Sequence, residues 1–128
     1  IWFDYPHDIT KKQSQELREL GKSIQPDCQI NSRIAHDCND YESLGDNALP
    51  VAPVGVNLEC LITLNDTWGY KSFDNEWKSA DRIIEIKNHL AVRGANYLLN
   101  VGPDHLGRIP APAVKILREV GEKSGVKC

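Results

Sequence analysis

The chain has 128 residues, is 41% hydrophobic and carries a formal net charge of −3, values that fit one globular domain with a modest core. An acidic balance without any Lys/Arg run argues against a nucleic-acid phosphate backbone as partner. No window approaches the roughly 18 apolar residues that a membrane-spanning helix needs.

The first segment, Ile1-Trp2-Phe3, is apolar, reads as a strand and ends at Asp4. With no Met and no charged leader ahead of it, the chain reads as a truncated or processed piece. A helix is predicted next. Thr10 and Gln13 have capping-box spacing, Leu17, Leu20 and Ile24 recur on one face, and Pro26 stops it. A second short strand, Cys28–Ile30, leads into Asn31-Ser32-Arg33. A polar stretch over roughly 34–57 reads as a functional or disordered loop, and its acids Asp37, Asp40, Glu42 and Asp46 lack the ligand spacing of a calcium loop. They read as a solvated active-site loop.

The third strand is predicted over Leu58–Leu64, followed by Asn65-Asp66-Thr67-Trp68-Gly69-Tyr70. The next helix has Ser79 as N-cap, an apolar face of Ile83, Ile84, Ile86 and Leu90, and Gly94 at C′. A fourth strand, Tyr97–Val101, is bounded by Gly102-Pro103. The last helix starts near Pro112, buries Ala113, Ile116, Leu117 and Val120, and frays at Gly121 and Gly125. Strand–helix alternation implies parallel strands with crossover helices. A doubly wound sheet and a piece of a (β/α)8 barrel both satisfy it, and both place chemistry at the C-terminal strand ends. A full barrel takes about 250 residues, so this chain would supply roughly half.

Cys28, Cys38, Cys60 and Cys128 form no C-x-x-C pair and have no His at a zinc-like offset, so they read as isolated thiols or one bridge. His89 falls in a helix and reads as structural; His7, His36 and His105 read as loop residues. No dinucleotide, Walker, nucleophile-elbow or zincin motif occurs. Carboxylates remain. Asp4 stands at a strand end, a position that also suits a turn or cap residue. Glu59 lies inside an apolar strand, where alternation could simply turn it outward; facing an enclosed pocket, it would hold its proton more tightly. Two carboxyls roughly 5 to 5.5 Å apart are what retaining glycoside hydrolysis needs.

Four blocks carry a resemblance. Ile1-Trp2-Phe3-Asp4 resembles the W-x-D strand end of the α-L-fucosidases of glycoside hydrolase family 29, and Asn31-Ser32-Arg33 resembles its strand ending in a sugar-contacting Arg. The run Glu59–Tyr70 is similar to the E-x-C-x-T-L-N-x-x-W-G-Y block, and Gly94–Pro103 with Gly107 to the G-G-N-Y-L-L-N-I-G-P-x-x-x-G signature. The resemblance implies the C-terminal portion of a (β/α)8 catalytic barrel spanning residues 1–128 as one domain. It also implies a fucosylated glycan as substrate, no cofactor or metal, and export or a lysosomal location. Asp4 takes the nucleophile position, Glu59 the acid/base position and Arg33 the pocket Arg. Trp68 either walls the pocket or fills the barrel. Tyr5 follows the nucleophile, where it would alter the pocket rim, and Ala95 replaces the second Gly of the signature. An upstream half-barrel is expected, and without it the chain would self-associate or need a second polypeptide. A catalytically silent structural or sugar-binding fragment of the same fold is the alternative.

Overall fold

Thr10 and Gln13 close the predicted capping box: the Gln13 amide donates to Thr10 Oγ1 (3.3 Å) and the Thr10 amide to Gln13 Oε1 (2.9 Å). The helix they open, α1, runs Lys11–Ile24. A computed structural model describes residues 1–4, 7–55 and 57–125; Tyr5 and Cys128, singled out above, lie outside them. Further on come β1 (Glu42–Ser43), β2 (Leu58–Thr63), α2 (Ala80–Val92), β3 (Ala95–Asn100) and α3 (Ala111–Lys123). The three strands form a parallel sheet in the order β1-β2-β3, so each β-to-β connection is a crossover.

Alternation along β2 divides its side chains. Leu58, Cys60 and Ile62 pack beneath Ile86 and Leu90 of α2, each large aliphatic group contributing about 1.5–3 kcal/mol by leaving water. Glu59, Leu61 and Thr63 point to the opposite face. Ser79 caps α2 through a bond from the Arg82 amide, and Gly94 follows the helix at φ +75°, a conformation a side chain would disfavour. In α3 Ala113 is buried with Leu64 and Ile83, while Ile116 and Val120 are half-buried against them. Gly121 lies inside this helix, which ends two residues later at Lys123.

Two predicted strands do not form. Ile1–Phe3 and Cys28–Ile30 run side by side, with the Asn31 amide donating to Ile1 O (3.4 Å) and the Ile1 amino group to Gln29 O (2.5 Å). Beyond that point side chains replace the ladder. Asn31 Oδ1 accepts from the Phe3 amide and its Nδ2 donates to Phe3 O, and Asp40 Oδ2 accepts from the Ile30 amide. Among the described residues one isolated parallel bridge, Asn31 to Tyr41, remains. These bonds pair the backbone of the two segments, but not in a repeating strand pattern.

The apolar stripe expected to bury α1 is also misplaced. Leu17, Leu20 and Ile24 are 37%, 58% and 77% exposed, whereas Ser14 and Gly21 are buried. Ser14 Oγ donates to Ile34 O, and Ile1 Cδ1 sits 2.9 Å from where a Gly21 Cβ would stand. Small residues bring this helix close to its neighbours, and a polar anchor holds it there. Arg18 and Lys22 both pair with Asp40, at 2.6 and 2.9 Å. Asp40 is therefore not a solvated loop acid. The hydrogen bond from Arg18, with that from Lys22, holds its carboxyl at about 2 instead of 3.8.

A carboxyl whose folded pKa is depressed stabilises the fold above its unfolded value, and that stabilisation disappears as pH falls through the folded value. Asp40→Asn is expected to cost about 1–2 kcal/mol at pH 7, less than the full shift implies because water screens part of the pair. Between pH 4 and pH 2 the gap from the parent should close, as urea unfolding at the two pH values would register. A gap unchanged at pH 2 would mean that the Asp40 charge is not what anchors α1.

Candidate active site

The backbone turns that carry the polar residues all lie at C-terminal ends of the parallel segments. After Asn31 a 3-10 turn, Ser32–Ile34, presents Arg33. Ala35, His36 and Asp37 follow with φ of +67°, +55° and +57°, a run of left-handed non-glycine residues that costs about 1–3 kcal/mol each and concentrates where chemistry is placed. Beyond β1 the chain keeps tracking the edge of β2. The Leu44 amide donates to Glu59 O and the Asn47 amide to Leu61 O, after which Asn47 Oδ1 accepts from the Thr63 amide. This side-chain substitution holds Asp46 at the level of the β2 C-terminus.

Arg33 ties the site together. Its Nη1 donates to Asp4 Oδ1 at 2.7 Å and its Nη2 to Asp46 Oδ1 at 2.5 Å. Burial works against the guanidinium's charge, but the hydrogen bonds to Asp46 and Asp4 outweigh it and raise its pKa. The Arg33 Cζ also lies 5.0 Å from the centroid of the Trp2 ring, within cation–π range. Around these groups is a cavity of about 670 Å³, walled by Trp2, Trp68, Leu61 and Leu98 and reached by Asn100. A larger groove of about 850 Å³ runs along α3, but its acids Asp104 and Glu119 are taken up by Arg108 and Lys123. Lys123 also holds Asp81, but Asp81 does not line that groove, whereas Asp4 and Asp46 both line the Arg33 cavity, which is the better candidate.

The loop bearing Trp68 is fixed by residues of the two long blocks and by Asp74, which the sequence alone did not single out. Buried Asp74 accepts from the Thr67 amide (2.8 Å), Thr67 Oγ1 (2.7 Å) and Asn65 Nδ2 (2.8 Å). The Thr67 hydroxyl is the chief cause of its lowered pKa. Asn100 Nδ2 donates to Trp68 O at 2.8 Å. Gly102 lies against the same loop: a Cβ there would come within 2.7 Å of Tyr70 N and 2.8 Å of Gly69 C. Only glycine admits that approach.

Of the residues expected in the site, Asp4, Arg33 and Trp68 line one cavity, and Trp68 is a wall of it. Glu59 is not among the lining residues. It is the second residue of β2, paired across the sheet with Ser43 and Asn96, one inward-facing position below Leu61. Its Oε1 accepts from Trp2 Nε1 (2.7 Å) and Ser43 Oγ (3.0 Å). Asp46 is the carboxylate that joins Asp4. Cys28, Cys38 and Cys60 are free thiols, and burial, with the Glu59 charge adding to it, pushes the Cys60 thiol up. Among the described residues no three His, Cys, Asp or Glu side chains are grouped to hold a metal ion.

A family model described as α-L-fucosidase matches residues 1–124. No curated protein matches the chain. Among solved structures it is similar to α-L-fucosidase AlfC from Lactobacillus casei in complex with α-L-fucose product, at 40% identity and a TM-score of 0.82, covering 98% of this chain and 37% of that one. It is similar also to α-L-fucosidase isoenzyme 1 from Paenibacillus thiaminolyticus, at 27% identity and TM-score 0.88, covering 95% of this chain and 33% of that one. For the α-L-fucosidase from Vibrio sp. strain EJY3 the identity is 35% and the TM-score 0.89, with 98% of this chain and 24% of that one covered. The chain thus spans between about a quarter and two fifths of the length of these enzymes.

Proposed function

The chain belongs to the α-L-fucosidase family, matched over residues 1–124, and from that premise we propose that it carries the catalytic carboxylates of a retaining α-L-fucosidase. The observation that supports this most is the placement of Asp4 and Asp46 on neighbouring nitrogens of one guanidinium. Two carboxylates held this way stand no further apart than two hydrogen bonds plus the fork's width, a span that includes the roughly 5 to 5.5 Å of retaining hydrolysis. The five parallel-running segments are read as an arc of a (β/α)8 barrel, with the site at their C-terminal ends.

In this reading Asp4 attacks the anomeric carbon as the aglycone leaves, and a covalent fucosyl ester forms. Asp46, protonated, gives its proton to the glycosidic oxygen. In the second step Asp46 takes a proton from water, which attacks the anomeric carbon and frees Asp4. When Asp46 holds the proton, Arg33 is left with Asp4 as its charged partner. The acid/base role expected of Glu59 passes to Asp46, because Asp46 lines the cavity with Asp4. Trp2 and Trp68 offer faces on which a sugar's apolar side can stack. No metal or organic cofactor enters these steps.

The substrate proposed is terminal α-L-fucose on a glycan. One aspartate-to-alanine variant of AlfC has been solved both with Fucα(1,6)GlcNAc and with 4-nitrophenyl-α-L-fucopyranoside, which supports this substrate class. An exported or lysosomal setting is proposed on family resemblance alone. The test is hydrolysis of an aryl α-L-fucoside with the released sugar followed by NMR: α-L-fucose should form first. A second reading, a silent structural or sugar-binding fragment, is favoured by the incomplete wall of the cavity, where Trp2 and Leu98 stay 39% and 40% exposed. Exposed Leu20 and Ile24 likewise support self-association or a partner polypeptide.

A further inference from the structure

We propose that Glu59 is a positioning residue, which through the Trp2 indole sets the Arg33 guanidinium between Asp4 and Asp46. The inference rests on the fucosidase reading of the cavity and assigns a role that this reading leaves empty. Glu59 Oε1 accepts two hydrogen bonds, from Trp2 Nε1 at 2.7 Å and from Ser43 Oγ at 3.0 Å. The bond from Trp2 Nε1 to Glu59 restrains the rotation of the indole ring. The ring in turn lies 5.0 Å from Arg33 Cζ, where its face attracts the cation. Arg33 carries both carboxylates.

Ser43 closes the circuit. Its hydroxyl holds Glu59, and its amide donates to Ser32 Oγ at 2.9 Å, next to Arg33 in the same 3-10 turn. Glu59 thus governs the guanidinium from two sides, by ring contact and by the turn that presents it. What both contacts need from Glu59 is an acceptor oxygen, which an amide also supplies. An acid/base role would instead need a group that gains and loses a proton.

The experiment compares Glu59→Leu, Glu59→Gln, Trp2→Phe and the Glu59→Leu/Trp2→Phe double variant on an aryl α-L-fucoside. Glu59→Leu and Trp2→Phe are each expected to lower kcat by about 10- to 100-fold with a smaller change in KM, the scale of a misplaced reacting group. The double variant should be no worse than the poorer single, since both act through one contact. Glu59→Gln should recover activity to within about fivefold of the parent, as expected when one hydrogen bond is weakened but kept, and preserve both limbs of the pH profile. A Glu59→Gln variant that falls as far as Asp46→Asn and loses a limb overturns the proposal.

A readout independent of turnover separates this from failure of the functional reading. In an ¹⁵N–¹H spectrum the Trp2 indole resonance, identified by its absence in Trp2→Phe, should move in Glu59→Leu and stay near its place in Glu59→Gln. If the parent chain hydrolyses no fucoside, the functional reading fails while a moving indole resonance still sustains the contact. An indole resonance indifferent to Glu59→Leu overturns the proposal whatever the turnover.

Discussion

Asp4→Gly is expected to reduce aryl α-L-fucoside hydrolysis by on the order of 10⁴-fold or more, the scale of deleting a covalent nucleophile. The reason is positional. Asp4 ends its segment, lines the cavity and is oriented by a 2.7 Å bond from Arg33, the position the proposed reaction gives to the attacking carboxylate. Removing the Asp4 side chain opens room in the cavity for a small anion beside Arg33. Azide entering it should attack the anomeric carbon from the face Asp4 occupied, release the phenolate and yield β-L-fucosyl azide. Asp4→Gly with near-parental activity, or rescue that yields only the α-azide, would remove Asp4 from the nucleophile role.

Asp46→Asn should cost roughly 10²- to 10⁴-fold, the usual contribution of general acid–base catalysis, and the cost should depend on the leaving group. A fucoside whose aglycone is a poor leaving group needs its oxygen protonated. A dinitrophenyl fucoside departs unaided, so its first step should be nearly normal while the fucosyl-enzyme accumulates for want of a base. The limb of the pH profile that reports the protonated acid should disappear. Side-by-side measurement with Glu59→Gln decides between the two carboxylates. If Asp46→Asn keeps its profile and Glu59→Gln loses one limb, the acid/base is Glu59 and the assignment made from the cavity is wrong.

Local signals in the sequence located what local physics controls. The Thr10–Gln13 box, the Ser79 cap, the left-handed Gly94 and the apolar run of β2 each depend on residues within a few positions, and each forms as its pattern predicts. Asp4, Arg33 and Trp68 were legible because each follows an apolar run and the blocks around them match a known family. The failures are nonlocal. Leu17, Leu20 and Ile24 have helical spacing, yet the packed face of α1 is chosen by Ser14, Gly21 and the reach of Arg18 and Lys22 to Asp40. Ile1–Phe3 and Cys28–Ile30 look like strands, but the side chains of Asn31 and Asp40 take the places of ladder bonds.

Asp46 was hidden for a related reason. In sequence it is one of four acids in a polar stretch, alike in type to Asp40. The structure sends Asp40 under α1 and Asp46 into the cavity. What separates them is Asn47, whose φ of +55° and side-chain bond to the Thr63 amide pin the neighbouring Asp46 to the end of β2. A Gly-Asp-Asn run ahead of an apolar strand is a weak local signal of such a turn. Glu59, set inside an apolar strand, does not line the cavity but bonds to Trp2, a residue that does.

The most direct test of the central claim is the configuration of the first sugar released from an aryl α-L-fucoside, watched by NMR before mutarotation. Two displacements through an ester on Asp4 predict α-L-fucose first, with the β anomer growing in afterwards. β-L-fucose appearing first would mean a single displacement by water and would contradict the assignment of Asp4 as a covalent nucleophile.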